Sequence, residues 1–247
     1  MLATSQKCAV GCMLLLMALW MTIKLDHAGY RFPNVGQRTT SSSFPTPAFP
    51  CKPLSQKERL DAFGDLQGYT HMIYTSSPET QKAFDTGMML AYGFNQPEAL
   101  RSFHQAMEDP TAPAPYWGKA YALGPFLNKI AGPAEGSKAY PVFSLQELEN
   151  GKKAVEQGLR IADEQMAKQT STSMSDTHKT LRKLLERDKA YLQGISHVFF
   201  SGATHGPAFI AGTKAYAQAL EEWAEAHPED TDALALSAEA LANLQPW

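Results

Sequence analysis

The chain has 247 residues, 44% of them apolar and 19% charged, with 22 Lys and Arg against 25 Asp and Glu. Neither wholesale disorder nor a polytopic membrane protein has that balance, and the length suits one folded domain or a short solenoid. The charge is unevenly placed. Lys7, Lys24, Arg31, Arg38, Lys52 and Lys57 face the single acid Asp26 in the first 57 residues, which leaves 16 basic and 24 acidic residues from Glu58 onward. An acidic folded part argues against a nucleic-acid partner. Its cysteines, Cys8, Cys12 and Cys51, all precede that part, so the domain has neither a disulfide framework nor a cysteine-based zinc site.

Cys8 to Ile23 is a run of sixteen uncharged residues between Lys7 and Lys24. As a helix it would be roughly 24 Å long, short of the ~30 Å hydrocarbon core, yet it can span where the bilayer thins and the flanking lysines snorkel. Cys8, Leu15, Trp20 and Ile23 mark the membrane segment, with Trp20 where an interfacial aromatic belongs. An uncleaved single-pass anchor within residues 1–28 is the reading taken. Signal cleavage followed by secretion or organelle targeting is the alternative, weakened by Asp26 two residues before the candidate cleavage site at Ala28. Residues 29–57 are rich in Pro, Ser and Thr and read as a disordered linker.

Residues 58–247 are punctuated as helices. Ser77 caps a helix that opens on Pro78 and carries Phe84, Met88 and Ala91 at helical spacing, with Gly93 at its end. Asn95 and Glu98 have capping-box spacing before Ala99, Leu100, Phe103 and Ala106, and Pro110 stops that helix. A third helix starts near Pro115 and ends at Gly124-Pro125. After an insertion from Gly132 to Tyr140, Ser144 with Glu147 opens a long helix through about Lys168, and the Ser/Thr run at 170–175 separates it from the next. That next helix, about Asp176 to Gln193, carries Leu181, Leu184, Leu185 and Tyr191 on one side. A break from Gly194 to Pro207 precedes two further helices, Ala208 to His227 and about Asp232 to Asn243. Tyr69 to Thr75 reads as coil.

Gly87, Ala99, Phe103 and Ala106 have the spacing of the tetratricopeptide repeat, in which small residues let two helices approach while a large one fills the space to the next pair. Thr75 to Gly87, Leu90 to Asn95, Glu98 to Phe103 and Tyr116-Trp117-Gly118 through Pro125 resemble bacterial-type tetratricopeptide proteins. Arg187 to Tyr191 and Tyr216 to Trp247 are similar to the same family. The resemblance implies an all-α, right-handed solenoid of helix pairs and assigns Gly87, Ala99, Phe103, Ala106, Trp117 and Gly118 to repeat packing. It also implies further repeats beyond Pro246-Trp247, so the chain reads as truncated relative to that family.

No short catalytic signature with a stated mechanism occurs, and no catalytic residue, cofactor or metal ligand is assigned. His178, His197 and His205 are the best material for a metal-dependent hydrolase, the rival reading, although their spacing is not that of a ligand set. A fragment without independent activity is the third reading. Tyr116, Trp117, Tyr121 and Phe126 read as core rather than a ligand groove, and Glu221, Glu222, Glu225, Glu229, Asp230 and Asp232 as a solvated acidic face. The expected function is a non-catalytic scaffold that binds a protein or peptide in a helical groove, with self-association as a further outcome.

Overall fold

The computed structural model describes residues 68–126, 129, 143–169 and 176–244. The chain divides into two units, Met1–Pro53 and Leu54–Trp247, and every described residue belongs to the second. The run containing Cys8, Leu15, Trp20 and Ile23, the Pro/Ser/Thr-rich linker, the insertion from Gly132 to Tyr140 and the Ser/Thr run at 170–175 lie outside the described residues. None of the described helices is long and apolar enough to cross a membrane.

The described residues are all-α. Seven helices follow one another: α1 (Pro78–Tyr92), α2 (Gln96–Ala106), α3 (Ala114–Leu123), α4 (Leu145–Lys168), α5 (Asp176–Phe200), α6 (Gly206–Ala226) and α7 (Thr231–Ala242). Each packs on the next in sequence, and α3 also touches α1 and α5. Tyr69 to Thr75 is non-helical, as expected.

The start signals act as local chemistry requires. Ser77 accepts a hydrogen bond from the Thr80 amide at the head of α1, and Ser144 and Glu147 form a reciprocal capping box on α4. Asn95 departs from expectation: its side chain makes no capping bond to α2. Its amide instead closes the end of α1, donating to the Leu90 carbonyl at 2.8 Å while the Phe94 amide donates to Ala91 at 3.0 Å. This is a Schellman turn, and its left-handed position is held by Phe94 at φ 60°, one residue after the glycine that marks the helix end in the sequence.

The expected break after Gln193 is absent, because α5 runs through Gly194 to Phe200. A mid-helix glycine costs about 1 kcal/mol, whereas burying Ile195, Val198 and Phe199 contributes roughly 1.5–3 kcal/mol each, so the helix continues. The core is a contiguous set of buried side chains from all seven helices, with Phe84, Phe103, Trp117, Tyr191 and Phe199 among the largest. Aromatic rings seat against glycines within it. The Phe103 ring lies between Gly87 of α1 and Gly118 of α3, and the Phe199 ring lies against Gly151 of α4.

Candidate functional site

The chemistry of the domain gathers where residues 70–75 cross α1, α5 and the start of α7. His71 and Ile73 are buried and Met72 is exposed, the alternation of an extended chain. No strand pairs with this segment among the described residues, so side chains satisfy its backbone. Gln81 of α1 makes a two-point clamp, its Nε2 donating to the His71 carbonyl at 2.9 Å and its Oε1 accepting from the Ile73 amide at 2.9 Å. Asp85 accepts from the His71 amide at 2.9 Å and from Thr70 Oγ1 at 2.9 Å. Across the segment, Asp188 of α5 accepts from the Tyr74 amide at 2.8 Å, and the Arg187 guanidinium donates to the Met72 carbonyl.

The His71 ring enters an aromatic box. It lies 5.8 Å from the Phe84 centroid and 5.7 Å from Tyr191, and it stacks on Trp117 at 6.4 Å. Its Nδ1 lies 2.7 Å from Asp232 Oδ2. Burial pushes the Asp232 carboxyl up, but bonds from His71 and Tyr92 together with the Arg187 charge outweigh it and hold the group below its ordinary value. Asp232 is therefore an ionised acceptor, and the imidazole Nδ1–H is the donor.

Tyr92 donates to Asp232 Oδ1 at 2.8 Å. Asp230 caps α7 by accepting from the Ala233 amide, and it also accepts from Tyr191 Oη at 2.9 Å and from Trp223 Nε1 at 3.0 Å. Burial raises the Asp85 carboxyl against the bonds from His71, Thr70 and Gln81. It raises Asp188 too, against the charge of Arg187 3.6 Å away and the Tyr74 amide. Ligand atoms of His71, Asp230 and Asp232 lie within 4.8 Å of one another, the one such group of three among the described residues.

Comparison with family models, with curated proteins and with solved structures finds no match to this chain.

Ala99, Phe103 and Ala106 are fully buried and Trp117 is 1% exposed, with Gly87 and Gly118 on either side of the Phe103 ring. His178, His197 and His205 are all exposed, on α5 and in the turn before α6, and they do not come together as a ligand set. Tyr121 is buried and Tyr116 and Phe126 are half-buried. Glu221, Glu222, Glu225 and Glu229 are exposed, whereas Asp230 and Asp232, read with them as a solvated face, turn inward, Asp232 to His71 and Asp230 to Tyr191 and Trp223.

The residues missed from the sequence are His71, Gln81, Asp85 and Asp188. One signal was present: Asp188 interrupts the stripe Leu181, Leu184, Leu185, Tyr191, Leu192 and Ile195 at the helical spacing of a core position. A carboxylate there needs a buried partner.

Proposed function

We propose that this chain is a non-catalytic tetratricopeptide-type scaffold for protein–protein interaction, tethered to or targeted through a membrane by residues 8–23. Helices that each pack on their sequence neighbour, with α1 on α3 and α3 on α5, suit a right-handed solenoid of helix pairs. So does the seating of Phe103 between glycines of two flanking helices.

The observation that carries the binding role is the capture of residues 71–74 through their backbone by Gln81, Asp85, Arg187 and Asp188. Side chains projecting from stacked helices read an extended chain by its amides and carbonyls, a mode indifferent to most of the bound sequence, while pockets such as those holding His71 and Ile73 select alternate side chains. The chain's own segment displays that mode, and a partner peptide of extended conformation, apolar at alternate positions, would use the same groups.

The test adds a fluorescent peptide with the sequence of residues 69–75 to the full chain carrying Ile73→Asp, which weakens the internal segment. Binding should be at least ten-fold tighter than to wild type, and Gln81→Ala in the same background should abolish it. A variant that keeps its helical circular dichroism and binds no peptide overturns the reading.

A further inference from the structure

We infer that His71, Asp230 and Asp232 form a binding site for one divalent transition-metal ion, which joins the segment before α1 to the start of α7. His71 stands about 160 residues before Asp230 and Asp232 in the chain, yet the donor atoms of the three already lie within 4.8 Å of one another. Metal bonds of about 2.0–2.2 Å place neighbouring donors roughly 3 Å apart, so side-chain rotations that move these atoms by about 1 Å are enough.

The surroundings are those of a ligand set. Tyr92 orients Asp232, while Tyr191 and Trp223 orient Asp230, as outer-shell donors orient ligating carboxylates. Phe84, Trp117 and Tyr191 fix the plane of the imidazole. On metal binding the ring passes its proton to Nε2 and presents Nδ1 as the ligand, without changing its net charge.

Charge points the same way. Asp85, Asp188, Asp230 and Asp232 gather around His71 with one guanidinium, that of Arg187, among them. Even a protonated imidazole leaves an excess of negative charge in a largely buried setting, which a divalent cation offsets. One imidazole with two carboxylates suits zinc, manganese, iron or cobalt, and disfavours calcium and magnesium, which prefer all-oxygen shells.

Co2+ tests this on the full chain with Cys8, Cys12 and Cys51 replaced by serine, so that thiolates cannot contribute. One equivalent of Co2+ should give a visible d–d band, be displaced by Zn2+ and survive excess Mg2+, and saturating Zn2+ should raise the melting temperature. His71→Gln and Asp232→Asn should each weaken Co2+ binding at least a hundred-fold, while His197→Gln and His205→Gln leave it unchanged. If either ligand variant fails to fold, Asp230→Asn, which retains the α7 cap, takes its place with the same expectation. Absence of a stoichiometric band on the parent chain at millimolar Co2+, or a band that persists in the folded ligand variants, overturns the site.

Discussion

A Cβ on Gly118 would stand 2.5 Å from Cε1 of Phe103, and one on Gly87 would stand equally close to the same atom. The ring is thus a fully buried wedge held so close to both glycines that neither position has room for a Cβ. Gly118→Ala should destabilise the domain by about 1–3 kcal/mol, because the neighbouring helices must shift to admit the methyl group. Phe103→Leu alone should also destabilise, yet combining it with Gly118→Ala should recover part of the loss. A double-mutant cycle in urea checks this, and strict additivity would show that the two positions do not share a contact.

Phe94 occupies the left-handed position of the turn between α1 and α2, where its Cβ is disfavoured by about 1–2 kcal/mol. Phe94→Gly should therefore raise stability by about 1 kcal/mol, since the side chain is half exposed. Phe94→Ala keeps the Cβ and should give no such gain. Denaturant midpoints of the two variants provide the comparison.

Glu239 is displaced toward neutrality: burial raises it from 4.5 to about 7, against the hydrogen bond that Tyr121 donates to it at 2.7 Å. The folded state holds its proton more tightly than the unfolded state. Its contribution to stability is complete below about pH 4.5, declines as pH rises, and is lost above about pH 7. The decline should be on the order of 3 kcal/mol. Glu239→Gln should remove this slope and leave the protein more stable than wild type at pH 8, as measured by chemical denaturation across that range.

The Gln81 clamp should govern opening of the segment before α1. Gln81→Ala removes both its bonds to that backbone, and with a net value near 1–1.5 kcal/mol per bond the Ile73 amide should exchange with deuterium at least ten-fold faster. The Val155 amide in the buried face of α4 should keep its protection. Equal acceleration at both amides would mean global unfolding rather than local release.

The proposed membrane attachment, through Cys8 to Ile23, has its own test. The full chain should stay in the pellet on carbonate extraction, and Leu15→Arg with Leu16→Arg should release it, since each central charge costs about 2.5–3.5 kcal/mol in a spanning helix. Full-length wild type recovered in the soluble fraction with its first residues intact would refute the tether.

Helix starts were legible because their chemistry closes within four residues: Ser77 with Thr80 and Ser144 with Glu147 need nothing from the rest of the chain. The glycine and phenylalanine spacing from 87 to 106 was equally local, since a helix pair with a short turn brings those positions together by its own periodicity. Gly194 misled because a glycine is a weak helix breaker, and the burial that overrides it depends on α6 lying alongside, where Tyr216 covers it.

By itself the sequence determined the all-helical class and the caps at Ser77 and Ser144. Tertiary structure alone decided that His71, Asp85, Asp188, Asp230 and Asp232 meet. No periodicity links residue 71 to residue 232, and an aspartate beside Glu229 reads as solvated until the fold turns it inward. Placing these groups together requires the path of the whole chain, because charge and hydrogen-bonding partners separated by some 160 residues are chosen by packing rather than by any local preference.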